Sequence, residues 1–164
     1  MYLENNQIRR YPLMMVLAWT AVVAWMGLIF FLSHQPGEQS GELSGLIADT
    51  ILRLFGKGGN PALLDTFNSV LRTVAHGTAF FVLALLVGMA FHQVYVVDIP
   101  NGVVTLILCL LYAASDEWHQ SIVPGRSSEW SDFFVDAGGV VLAILILQIY
   151  WAVKRVNAVL HVER

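Results

Sequence analysis

Charge is what this sequence has least of. Only 13% of its 164 residues are Asp, Glu, Lys or Arg, where a soluble domain carries roughly 25%. Hydrophobic residues make up 57%, against roughly 45–50% in soluble chains. So apolar a chain cannot cover itself with a water-facing polar surface, which excludes an ordinary soluble enzyme and a disordered segment. Nine Lys and Arg against twelve Asp and Glu give a net charge of -3. That leaves no basic footprint for a phosphate backbone, so nucleic acid is excluded as a partner. The single cysteine, Cys109, sits in an apolar run and excludes a disulfide framework or a cysteine-based zinc site. A small polytopic membrane protein remains, with the lipid bilayer as its first partner.

A hydrocarbon core of about 30 Å takes roughly 17–25 apolar residues as helix. Four stretches qualify: residues 12–32, 75–91, 99–115 and 133–152. The first is too long for a signal-peptide core of about 7–15 residues, and Ser33-His34-Gln35-Pro36 is no small-residue cleavage site. The expected fold is therefore all-α, one domain over 1–164, built as a polytopic bundle of four transmembrane helices. Four crossings put both termini on one side. Arg9 and Arg10 flank the first span directly, and Lys154, Arg155 and Arg164 lie on the same side. The opposite side has Arg53, Lys57, Arg72 and Arg126, so the positive-inside bias places both termini in the cytoplasm. Tyr11, Tyr150 and Trp151 mark one interfacial belt, Trp118 and Trp130 the other.

The first outer loop has its own pattern. Ser40 is a candidate N-cap, and Leu43, Ile47, Ile51 and Leu54 recur at helical spacing until Gly56 stops the run. With Glu42, Asp49 and Arg53 among the polar positions, this reads as an amphipathic helix lying at the interface. Asn60-Pro61 offers a cap and a first-turn proline, and no breaker intervenes before Phe91.

The scarce polar residues are not spread evenly. Of the twelve acidic residues, only Glu4, Asp98 and Glu163 fall on the terminal side. Arg72 and His76 open the second span, Asp116, Glu117, His119 and Gln120 end the third, and Asp132 and Asp136 open the fourth. Arg126 lies in the Pro124-Gly125-Arg126 turn between them. Ionisable groups at membrane depth are costly, so each needs a partner, a water cavity or a role. One reading makes Asp116, Glu117, His119, Asp132 and Asp136 the catalytic or metal-binding groups of a polar chamber, able to serve as acid, base or ligands of a divalent cation. Arg72, His76, Gln120 and Arg126 then bind substrate, the guanidinium forks suiting a phosphate or carboxylate. The plainer reading pairs the same groups with one another, Arg126 with Asp132 and His119 with Asp116, merely to fix helix ends. His34 is more ordinary as an interfacial histidine, and Gly138-Gly139 suits close approach of another helix.

On these residues the chain resembles the VanZ-like family of small bacterial membrane proteins. The resemblance rests on Ser33-His34-Gln35-Pro36-Gly37, on Arg72 four residues before His76, and most of all on a longer run. That run is Asp116-Glu117-Trp118-His119-Gln120, Pro124-Gly125-Arg126, then Asp132 and Asp136. The chain departs from the family pattern at Thr73 and Ala79-Phe80, where members commonly carry Lys and Glu-Tyr. The resemblance implies a multi-pass protein of the bacterial plasma membrane, with a relative linked to reduced susceptibility to the glycopeptide teicoplanin, which acts outside the membrane on cell-wall precursors. Two functions stay open. One is an enzyme acting at the outer face on a lipid-linked phosphate or cell-wall precursor, although no nucleophile elbow, phosphate loop or His-Glu-x-x-His motif is present. The other is a non-catalytic binding protein for a phospholipid headgroup or glycopeptide.

Overall fold

The computed structural model describes residues 12–94, 99–126 and 129–162. Within them the chain is all-helical, in five helices: α1 (Pro12–Ser33), α2 (Gly37–Leu54), α3 (Pro61–Val94), α4 (Ile99–Gln120) and α5 (Trp130–Val162). Pro12–Ser33, Pro61–His92 and Trp130–Leu160 are long and apolar enough to cross a membrane. At 22 residues, α4 is about 33 Å long by the helical rise, but Asn101 and its closing Asp116-Glu117-Trp118-His119-Gln120 make it more polar. Arg9, Arg10, Tyr11, Asp98, Arg164 and the acidic Glu4 and Glu163 lie outside the described residues.

Local chemistry sets several helix ends. Asn60 caps α3, its Oδ1 accepting from the Leu63 N–H at 3.3 Å, and Pro61 fills the first turn. α2 closes where Gly56 takes a φ of 68°. There the Lys57 N–H donates to the Leu52 carbonyl at 2.8 Å and the Gly56 N–H to Arg53 at 3.0 Å, a paired closure that glycine alone makes cheap. One boundary differs from expectation: α2 begins at Gly37, without a Ser40 cap. Tertiary partners replace the local one. The Gly37 N–H donates to the Pro124 carbonyl at 3.1 Å, and the Ser40 hydroxyl accepts from Arg126 at 3.2 Å.

α3 is the central helix. Phe80, Leu83, Ala84 and Val87 recur on one face and are buried, the spacing of a helix with an apolar stripe. They join Val22 and Ile29 of α1, Cys109 and Ala113 of α4, and Val140 and Ala143 of α5 in one core. The many alanines let helix backbones come close, which in an apolar surrounding is a main source of helix association. The closest approach is at Gly139, where a Cβ would run into the Gly77 carbonyl oxygen. Gly138 faces open space instead, so only one glycine of the expected pair serves the contact. Phe80, at a position of family departure, is a core residue, and the Ala79 carbonyl accepts from Trp25 Nε1 at 2.9 Å.

The contacts fix the chain directions. Trp19 meets Phe91 while Trp25 meets Ala79, so α1 and α3 run oppositely. Gly77 lies beside Val135 and His92 stacks on Trp151, so α3 and α5 run the same way. Tyr112 donates to the Met26 carbonyl at 2.7 Å and Ser33 meets Asp116, so α4 follows α1. This alternation gathers the ends of α1 and α4, the starts of α2 and α5, and the His76 turn of α3 at one end of the bundle. α2 lies along α3, burying Ala48 and Leu52 while Leu43, Leu46, Ile47 and Phe55 stay exposed.

Candidate functional site

The polar end is built around Asp116. The last two turns of α4 put Asp116 and Gln120 on one face at i,i+4 spacing. Gln120 Nε2 donates to Asp116 Oδ2 at 2.7 Å, and the Ser33 hydroxyl at the end of α1 donates to the same oxygen at 3.0 Å. All three side chains are buried. A carboxylate removed from water is costly unless hydrogen-bonded, and here two donors from two helices meet that need. Asp116 thus fastens α4 to α1.

Arg126 fastens more. Its Nε donates to the Gln35 carbonyl at 3.0 Å, and Nη2 to the Leu32 carbonyl at 2.8 Å and to Ser40 Oγ at 3.2 Å. Its Nη1 donates to Gln120 Oε1 at 3.3 Å. The Leu32 carbonyl belongs to the last turn of α1, where carbonyls lack helical partners and a cation is favoured. One planar fork therefore ties the end of α1, the start of α2 and the end of α4. Burial and the charge of Arg72 pull the Arg126 pKa down from its ordinary value, while Asp116 and Glu117 oppose them. The turn that carries it also depends on glycine: Gly125 has a φ of 73°, and a Cβ on Gly37 would strike the Gly125 carbonyl.

The pairings differ from those read off the sequence. Arg126 is bound to Leu32, Gln35, Ser40 and Gln120 rather than to Asp132, and His119 meets His34 rather than Asp116. His34 Nδ1 and His119 Nε2 are 3.2 Å apart, with Phe30 centred 4.6 Å from the His119 ring. One imidazole must donate and the other accept. In the sequence His34 has an ordinary interfacial role and Ser40 that of a helix cap, while Ser33 has none of its own. The one signal for Ser33 was the turn sequence Ser33-His34-Gln35-Pro36-Gly37.

Asp136 is the group this network does not absorb. It is 0% exposed, and neither carboxylate oxygen has a hydrogen-bond partner. It lies on α5 between Val135 and Gly139, the two positions pressed against Gly77. The close approach that Gly139 allows is what removes Asp136 from solvent. The charges of Asp116, Glu117 and Asp132 act on it, and those of Asp116, Asp132, Arg126 and Arg72 act on His76. The structure therefore brings Arg72, His76, Asp116, Glu117, Gln120, Arg126, Asp132 and Asp136 to one end of the bundle, with His119 beside His34 at its edge. Among the described residues, no group of three or more His, Cys, Asp or Glu is arranged to hold a metal ion. Trp118 and Trp130, 72% and 81% exposed, rim the same end.

No curated protein and no solved structure matches the chain. The model of the VanZ/LLP1 family does, over residues 18–151, a stretch that holds the whole of α2, α3 and α4 and every polar-end residue described above. The chain belongs to the VanZ/LLP1 family.

Proposed function

We propose that the polar end is an outward-facing recognition site for the phosphorylated headgroup of a lipid-linked cell-wall precursor. Asp136 carries this reading. A buried carboxyl with no partner is disfavoured in a folded protein, and the usual reasons for keeping one are a ligand or a proton. Its two oxygens are acceptors that the hydroxyl or amine groups of a headgroup reach when the helix ends open locally to admit it. Arg72, exposed on α3, supplies a guanidinium not needed by the Asp116 network, suited to a phosphate. Asp116, Gln120 and Arg126 hold the surrounding helix ends in place. Altered susceptibility to teicoplanin follows where such binding competes for the precursor.

Four crossings belong to this reading, with α4 as the fourth and α2 resting at the interface. The alternating helix directions support the first, and the exposed apolar side chains of α2 support the second. Exposed Trp118 and Trp130 suit the membrane boundary. With the termini in the cytoplasm of a bacterial plasma membrane, a cysteine placed at Gln39 in a Cys109→Ala background reacts with a membrane-impermeant maleimide in intact cells. Protection until lysis would reverse the sidedness.

The binding claim is tested in nanodiscs carrying a polyprenyl-phosphate-linked precursor. Asp136→Asn and Arg72→Gln are each expected to weaken binding about 10–100-fold, since hydrogen bonds to charged groups contribute ~1.5–3 kcal/mol. Unchanged affinity in both would overturn the reading. The charges of Asp116 and Asp132 that act on His76 favour a second reading, hydrolysis of the headgroup phosphate: His76 takes a proton from water, the water oxygen bonds phosphorus, and the P–O bond to the precursor breaks as its oxygen is protonated. A change in precursor mass on incubation with wild-type protein, absent in His76→Gln, distinguishes it; an unchanged precursor leaves binding as the function.

A further inference from the structure

The opposite end of the bundle holds a cavity of about 290 Å³ between α3, α4 and α5. Its chemistry is unlike that of the polar end. Lys154 and Arg155 line it together with His92, Asn101, Thr105 and Gln148, and no carboxylate does so among the described residues. In a chain with nine Lys and Arg in all, the exposed Lys154 brings positive charge to this cavity. Ile144, Leu147 and Trp151 form an apolar side. His92 stacks on Trp151 at 3.6 Å between centroids, and Lys154 Nζ lies 5.2 Å from the same ring. These contacts hold the ring, the imidazole and the ammonium in fixed relation.

The second observation is Thr105. It is 1% exposed, yet its hydroxyl oxygen has no hydrogen-bond partner. A buried threonine in a helix ordinarily bonds a carbonyl one turn back. This one instead faces Gly88 across the cavity, 3.9 Å from where a Cβ would stand. Gly102 keeps the space open on the α4 side, since a Cβ there would come within 2.8 Å of the Gln148 amide nitrogen. An orphaned hydroxyl, amides and the Lys154 ammonium around one space, with an apolar wall beside them, match a phosphate ester carrying an apolar substituent. The ammonium binds its charge, donors take its oxygens, and the wall takes the carbon skeleton.

We propose that this cavity is a second binding site, specific for a phosphate ester, separate from the polar end and independent of its function. A phospholipid headgroup and a free phosphate compound share this chemistry. The test uses the full chain in a phosphate-free alkyl maltoside micelle, titrated with dihexanoyl phosphatidylglycerol and, separately, with inorganic phosphate. Saturable binding of phosphatidylglycerol is expected, weakened at least tenfold by Lys154→Gln and by the near-isosteric Thr105→Val. Lys57→Gln, in the exposed turn after α2, leaves it unchanged. Displacement of the lipid by inorganic phosphate would support the site with a free phosphate compound as its occupant, and failure to displace it would support the lipid as occupant. Lys154 is exposed, so its substitution leaves the fold intact and remains informative if Thr105→Val does not fold. Absence of binding of both probes, or wild-type affinity in Lys154→Gln, would overturn the proposal.

Discussion

Arg126→Ala is expected to lower the unfolding temperature of the purified protein by about 10 °C, from a loss of ~3 kcal/mol at about 2–4 °C per kcal/mol for a chain of this size. The substitution removes four donors at once, to the Leu32 and Gln35 carbonyls, Ser40 and Gln120. Water reaches this half-buried site and takes up some of the freed acceptors, which keeps the loss below the sum of four charged hydrogen bonds. Gln120 also loses the partner on its carbonyl side, so the effect spreads to Asp116. Arg126→Lys keeps the charge but cannot present a planar fork to several acceptors, so it restores at most about half of the loss. Thermal unfolding followed by helix signal checks both. A wild-type transition in Arg126→Ala would mean that the fork does not hold these helix ends together.

The second large effect is expected at Gly139. Its place against the Gly77 carbonyl leaves no room for a side chain, and two rigid helix backbones can make room only by separating. Overpacking costs typically ~1–3 kcal/mol and occasionally more. Here the obstacle is backbone rather than a flexible side chain, so Gly139→Val belongs at the upper end. The folded, monodisperse yield is expected to fall several-fold, since a loss of ~1–2 kcal/mol already changes cellular abundance by that much. Gly138→Val is the matched control, because nothing stands within 4 Å of a Cβ at that position. It should stay within about 0.5 kcal/mol of wild type, as surface substitutions do. Size-exclusion profiles of the two variants make the comparison. Equal yields would show that α3 and α5 have freedom to part.

Much of this architecture was legible in the residues. The charge-poor stretches at 12–32, 75–91 and 133–152 lie inside α1, α3 and α5, and Gly56 and Asn60-Pro61 mark the helix ends they suggest. The gathering of polar groups followed from counting helix directions, because oppositely running neighbours bring alternate ends together. Partnerships were not legible. Sequence spacing suggests pairs within one helix or between opposite charges, as with the exposed Arg53–Asp49 pair at 2.6 Å. Arg126 finds its acceptors 86 to 94 residues away on two carbonyls and a serine, and carbonyls have no sequence signature. The same holds for the start of α2, where Pro124 replaces the expected Ser40 cap. Asp136 was visible as an acid inside an apolar helix, but its isolation depends on Gly139 closing against α3.

That isolation is the centre of the functional account, and it has a thermodynamic signature. A residue that only fastens the fold weakens it when replaced. A carboxyl buried without partners for the sake of a ligand strains the empty protein, so removing it stabilises the fold while function is lost. The direct measurement is the unfolding temperature of Asp136→Ala, which removes both unpaired oxygens at little cost in volume, in the absence of ligand and against wild type in the same micelle. The account predicts a higher transition, by about 1–3 kcal/mol of relieved burial. A lower transition would contradict it, assigning Asp136 to the framework that Asp116 and Arg126 already form.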